Sequence, residues 1–169
     1  TDVPGGSVSW SFTSSNNNYA DNAGSNVTVT ITKATADCSS VAGATYTYDG
    51  NAHVGVGACN DLNGNAISGL NWGAGQIDAP GGPVSWSFTS GNNNYADNPG
   101  SNVTVTINKA TATCTINGYT GTYDAVAHGA SGSCTGVAAD PGATGSSLTF
   151  GTQYTNAPGG IATWNFTGG

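Results

Sequence analysis

Glutamate, arginine and methionine are absent from this chain of 169 residues, and Lys33 and Lys109 are its only cations apart from two histidines. Against nine aspartates this leaves a formal net charge of −7. A nucleic-acid partner is not expected, because displacing counterions from backbone phosphates takes Lys or Arg. The same shortage argues against an anionic membrane surface. No apolar run approaches the roughly 18 residues of a membrane span, so no membrane insertion is expected. No charged-then-apolar leader opens the chain, which reads as mature or excised protein. Also missing are a Gly-x-Ser-x-Gly elbow, paired glutamates and a phosphate-cradling loop. The expectation is a protein that is not an enzyme and carries no cofactor. Proteases that cut after Lys or Arg find two sites, which suits an extracellular or cell-surface location.

What is present is glycine, 27 residues of it, with much Asn, Ser and Thr. Such a composition approaches that of disordered chains, but four Trp, seven Tyr and four Phe supply material for a core. A small unit buries only about 60% of its unfolded surface, and 37% hydrophobic content leaves little margin. Reinforcement beyond the core is therefore expected.

The chain is organised by a repeat. Residues 2–33 and 78–109 are identical at 27 of 32 aligned positions, at an offset of 76. A fixed period of this size marks a repeat protein. In each stretch two segments alternate strictly, Val8, Trp10 and Phe12 among serines and Val27, Val29 and Ile31 among threonines. Period-2 patterning predicts strands with one buried face, Trp10 and Trp86 included. The Asn-rich stretch between them predicts a polar turn, hence an antiparallel hairpin with a long loop, preceded by a turn at Pro4-Gly5-Gly6. Asp21 with Asn22 and Asp97 with Asn98 do repeat, which makes them better metal candidates than Asp61, but they are expected to make Asx-turns.

Lys33-Ala34-Thr35-Ala36 and Lys109-Ala110-Thr111-Ala112 mark the boundary between repeats. The divisions are thus 1–33, the C-terminal half of a module; 34–109, a complete module; and 110–169, the N-terminal part of the next. The complete module is predicted to hold a strand around Cys38, a turn at Asp49-Gly50-Asn51, a strand from His53 to Cys59 and a loop at 60–65 before the hairpin. No helical period appears. The fold class is all-β, with tandem immunoglobulin-like sandwich modules of about 76 residues. A boundary without a Pro or Ser run implies a stiff junction.

The Tyr48-Asp49-Gly50 turn, the GTYD…AHGASGSCTGV run of 121–137, the Asn/Asp-Ala-Pro-Gly-Gly…Trp-x-Phe segments and the VTVTINKAT junction resemble the MBG or YDG repeats of large bacterial surface proteins. The resemblance implies a stalk or fibre module of an adhesin-like protein with no shared catalytic residues. Ala125 stands where that pattern has Gly, which predicts a different or strained turn.

Cysteines fall as one pair per repeat, Cys38 with Cys59 and Cys114 with Cys134. The repeat makes these the natural disulfides among three connectivities, each contributing about 3 kcal/mol in the chain-entropy model. No close Cys-x-x-Cys pair provides a zinc site, so no metal is assigned. Asp61-x-Asn63-Gly64-Asn65 resembles a calcium loop but lacks the closing Glu, and its counterpart near Asp140-Pro141-Gly142 does not repeat it. Lys33 and Lys109 are candidates for a junction ion pair or a Lys-to-Asn crosslink. Asn26, Asn102 and Asn165 satisfy the glycosylation pattern. His53 and His128, one per repeat, read as packing residues.

The expected function is a structural segment of an extracellular bacterial fibre, filament or adhesin stalk, whose partners are neighbouring modules of the same or identical chains. Two alternatives are a β-sandwich that binds a host or surface glycan on exposed aromatics, and a subunit that polymerises head to tail by completing its split end modules.

Overall fold

The computed structural model describes residues 2–137 and 147–168. Among these the chain forms strands and no helix. In order they are β1 (Gly5–Val8), β2 (Val27–Thr30), β3 (Ala34–Thr35), β4 (Thr45–Thr47), β5 (Cys59–Asn60), β6 (Ala66–Ile67) and β7 (Leu70–Trp72). There follow β8 (Gly81–Phe88), β9 (Tyr95–Ala96), β10 (Asn102–Asn108), β11 (Thr113–Asn117), β12 (Ser131–Thr135), β13 (Ser147–Phe150) and β14 (Trp164–Thr167). The longest sheet has the order β4-β10-β8-β7. The chain divides into two compact units, one of Thr1–Gly43, Gly55–Ala74 and Val84–Val103, the other of Ala44–Val54, Gly75–Pro83 and Thr104–Gly169.

In the first unit β1 and β2 form the expected antiparallel hairpin, from Gly5 opposite Thr30 to Val8 opposite Val27. Phe12 and Asn22 prolong it with reciprocal backbone bonds. The Asn-rich loop is tied by Asp21, whose Oδ1 accepts from Ser14 N at 2.8 Å, and Asp97 does the same for Ser90. The aspartates thus make cross-loop ties, while the neighbouring asparagines make the expected Asx-turns, Asn22 Oδ1 accepting from Gly24 N and Asn98 Oδ1 from Gly100 N. The carboxylate reaches across because the two strand ends it joins converge at the mouth of the loop.

The core of this unit is Ala36, Cys59 and Phe88, with Val41, Ile67, Leu70, Trp86 and Tyr95 packed against it. Pairing of β7 with β8 sets Leu70 opposite Phe88 and Trp72 opposite Trp86, so that apolar side chains share one face. The Cys38–Cys59 disulfide lies in this core. The first hairpin departs from expectation. Val8, Trp10 and Phe12 are 50%, 46% and 51% exposed, although their pattern predicts burial. Alternation places side chains on one face, but burial needs a second layer over that face.

The expected strand from His53 to Cys59 is also interrupted. It survives as single bridges at His53 and Val56 and as β5. Gly57 has φ 118°, outside the β region, and a Cβ there would strike the Ser40 carbonyl. The backbone comes too close to its neighbour to run as a regular ladder.

In the second unit β4 lies parallel to the end of β10, with Thr45, Tyr46 and Thr47 opposite Thr106, Ile107 and Asn108. On its other side Ile107 N donates to Pro80 O at 3.0 Å. Val105 and Ile107 are fully buried. Further along, β11 and β12 pair antiparallel with Cys114 directly opposite Cys134, and these two form the second disulfide. The pairing of β13 with β14 sets Leu148 opposite Phe166 and Phe150 opposite Trp164. That is the arrangement Leu70 and Trp72 make with Phe88 and Trp86.

One turn occurs three times. Gly5, Gly81 and Gly159 each donate to the carbonyl three residues back, on Asp2, Asp78 and Asn156. Each follows a cis proline and has positive φ, at 87°, 86° and 75°.

Candidate functional site

Two Asp-x3-His pairs stand out, both in the second unit. His53 Nε2 lies 2.9 Å from Asp49 Oδ1, and His128 Nε2 lies 2.9 Å from Asp124 Oδ1. An ionised carboxylate only accepts, so each Nε2 carries its proton and donates. The turns position the carboxylates: Asp49 Oδ1 also accepts from Asn51 N, and Asp124 Oδ1 from Val126 N. The amide of Asn51, then His53, holds Asp49 below the usual carboxylate range. For Asp124 the order reverses, with His128 first and the amide of Val126 next.

A tyrosine covers each imidazole. Tyr46 stacks on His53 with ring centroids 4.1 Å apart, and Tyr119 on His128 at 3.6 Å. Tyr46 Oη donates to Val54 O, which fixes the ring across the turn. The two tyrosines do not occupy matching positions. Counting back from the aspartates, the residue corresponding to Tyr46 is Gly121, and a Cβ on Gly121 would collide with the Tyr119 ring. Tyr119 therefore fills from two residues further back the place that Tyr46 fills directly.

Each carboxylate thus bonds an amide two residues on and an imidazole four residues on, so the pair acts as a clip across its own turn. Among the described residues no three His, Cys or Asp side chains converge as a metal site would require. Asp61 is occupied within its own loop: Oδ1 accepts from Asn63 N and Asn65 N, and Oδ2 from Asn65 Nδ2. These bonds hold its carboxyl below the usual range, the amide of Asn65 contributing most. Asp140, Pro141 and Gly142 lie outside the described residues.

Beside the second clip lies an open cleft of about 650 Å³, with residues 117–124 on one wall and 154–160 on the other. Tyr119, Tyr123, Tyr154 and Trp164 contribute to its lining, with Asp124 and His128. The other residues singled out from the sequence lie elsewhere. Lys33 is exposed between β2 and β3, and Lys109 is exposed just after β10. Asn26, Asn102 and Asn165 are exposed on or beside strands, and Asn165 Nδ2 donates to Thr167 Oγ1 at 3.2 Å within its own pattern.

The clips were missed in the sequence because Asp and His were considered separately; the doubled Asp-x3-His spacing was the signal that joins them. The tyrosine lids left no such signal, since they shift by two residues. No family model, curated protein or solved structure matches this chain. No helix among the described residues is long and apolar enough to cross a membrane. The two disulfides fit a non-reducing environment.

Proposed function

We propose that the chain is a structural segment of an extracellular fibre or adhesin stalk, built from tandem immunoglobulin-like modules of the MBG or YDG kind. The observation that carries this reading is the junction after the first repeat. Ala34 N donates to Asn94 O at 2.8 Å, and β3 pairs with β9 immediately afterwards. The Asn94 side chain then accepts from Val3 N and donates to Asp2 Oδ1, each at 2.9 Å. Asp2 and Val3 of the half-module 1–33 are thereby tied to the Asn-rich loop of the module 34–109, which follows Lys33 without an intervening linker, and such a tie stiffens a rod. One disulfide per repeat and the scarcity of protease sites support the same reading.

The test is small-angle scattering of the 169-residue chain and of Asn94→Ala. An extended particle whose distance distribution broadens in the variant is expected; a compact particle insensitive to the substitution overturns the stalk. A glycan-binding reading draws on the exposed Trp10 and Phe12. The same face is closed by the chain's own side chains at Phe88, so an uncovered core face accounts for the exposure better than a sugar platform does. Glycan-array binding reversed by Trp10→Ala would favour the sugar.

A further inference from the structure

Two asparagines of the chain precede glycine, in Asn63-Gly64 and Asn117-Gly118. That dipeptide is reactive: the glycine nitrogen can attack the side-chain carbonyl of the asparagine, and no Cβ on the glycine hinders the approach. Exposure does not separate the two sites. All four residues are exposed, and a Cβ on either glycine would meet nothing within 4 Å. Hydrogen bonding does separate them.

Asn63 lies in the loop between β5 and β6, where every amide from 61 to 65 is bonded. Gly64 N donates to Asp61 O at 3.0 Å, and Asp61 N to Asn65 O at 2.8 Å. Asp61 Oδ1 accepts from Asn63 N and Asn65 N, both at 2.8 Å, and Leu62 N donates to Tyr95 Oη at 3.2 Å. Closing an imide ring requires rotation about the asparagine Cα–C bond until Cγ lies against the next nitrogen, so Gly64 N must first leave Asp61 O. Asn117 is held from one side only. It ends β11 opposite Ser131. Beyond it, Gly118 N donates no hydrogen bond among the described residues, and no backbone bond is made from 118 to 123. The next tether is the Tyr119 ring, stacked on His128, and Gly118 has the backbone freedom to absorb a rotation short of it.

We propose that Asn117 is a site of spontaneous modification, deamidation to isoaspartate and aspartate, and that the Asp61 brace keeps Asn63 from the same reaction. Hydroxide removes the Gly118 amide proton, the nitrogen bonds to Asn117 Cγ, and the Cγ–Nδ2 bond breaks as ammonia leaves with a proton from water. Hydroxide is regenerated, and only water is consumed when the imide opens. Breaking the new bond gives aspartate. Breaking the original peptide bond leaves the main chain running through Cγ, as isoaspartate. Either product adds one negative charge to the −7 of the chain. Isoaspartate also lengthens the main chain by a methylene at the end of β11, the strand that carries Cys114. The loop that resembles a calcium site in sequence thus acts through its own hydrogen bonds, by holding a reactive dipeptide out of the geometry in which it reacts.

The experiment incubates the oxidised 169-residue chain in mildly alkaline buffer and follows both asparagines by mass spectrometry of chymotryptic peptides. Electron-transfer fragmentation distinguishes isoaspartate from aspartate. Asn117 is expected to react at least about tenfold faster than Asn63, the factor that one or two amide hydrogen bonds supply. In urea with the disulfides reduced the two rates are expected to converge, because Leu-Asn-Gly and Ile-Asn-Gly are similar surroundings. Gly118→Ala is expected to slow Asn117 in the folded chain. Asp61→Ala is expected to bring Asn63 toward the rate of Asn117 and to leave Asn117 unchanged. Equal rates in the folded chain, faster reaction at Asn63, a ratio that survives unfolding, or an Asn117 rate indifferent to Gly118→Ala overturns the modification site. An Asp61→Ala chain with the tryptophan fluorescence of the parent, in which Asn63 stays slow, overturns the brace.

Discussion

Residues 2–33 and 78–109 build the same hairpin from nearly the same sequence, yet Val84, Phe88 and Val105 are at most 1% exposed while Val8, Phe12 and Val29 are between 43% and 51% exposed. The five substitutions between them, at 3, 7, 15, 23 and 32, all fall off this apolar face. The difference therefore lies in what each hairpin meets. Phe88 packs with Ala36 and Cys59, and Leu70, Ile67 and Val41 close around them; these residues come from the segment that precedes the second hairpin. All six buried apolar side chains of the described residues belong to 34–109. A hairpin of this sequence is half of a core, and its stability depends on the other half.

The comparison is broken most directly by truncating equivalent phenylalanines. Phe88→Ala is expected to cost about 3–5 kcal/mol, the value for a large buried side chain. Phe12→Ala at the matching position should cost under about 1 kcal/mol, as exposed positions do. Urea unfolding followed by tryptophan fluorescence measures both, and equal losses would show that the first hairpin is covered in solution.

Next in size are the disulfides. Replacing Cys38 and Cys59 by Ser should destabilise by about 3 kcal/mol from loop entropy, and by more through lost packing, since Cys59 is fully buried beside Phe88. The Cys114 and Cys134 pair has a loop of similar length, 20 residues against 21, without a buried member. Its loss should cost the entropic part alone. Differential scanning calorimetry under non-reducing conditions separates the two.

The turns give a smaller and oppositely signed pair. Gly50 sits at φ 79° and Ala125, its counterpart, at φ 63°, where a Cβ costs roughly 1–2 kcal/mol. Ala125→Gly is expected to stabilise by about 1 kcal/mol, less the added freedom of glycine in the unfolded chain. Gly50→Ala should destabilise by a similar amount. Matching signs in thermal melts would contradict a shared turn geometry.

Acid provides the smallest effect. Asp49 and Asp124 are held below their ordinary range in the folded chain, as are Asp37 and Asp61. A depressed folded pKa contributes stability above the unfolded value, near pH 4, that is lost as pH falls through the folded value. Because three of these four aspartates lie in 34–109, that segment should lose more of its protection below about pH 4. Hydrogen exchange at pH 3 and pH 6 reads this out. Asp49→Asn should remove part of the difference at His53.

Much of the fold was legible before any coordinates. Alternating Val, Trp and Phe marked β1, β8 and β14 or their surroundings, and the Val-Thr rows marked β2 and β10, because period 2 is a backbone property that a sequence carries openly. Pairing of the cysteines followed from their phase in the repeat. Strain at Ala125 was visible as an exception to a glycine turn. Less legible was the stretch from His53 to Cys59, where Gly57 takes a conformation that only close approach to Ser40 explains. The tyrosine over His128 was hidden because Tyr119 reaches a place that sequence correspondence assigns to Gly121.

Composition and pattern alone determined the repeat, the all-β class, the hairpins and the disulfide pairs, since each depends on residues close in phase along one chain. Only the tertiary structure decided which identical face is core and which is surface. Burial is a property of the partner brought from elsewhere in the chain, and a residue's own neighbours in sequence do not record who that partner is.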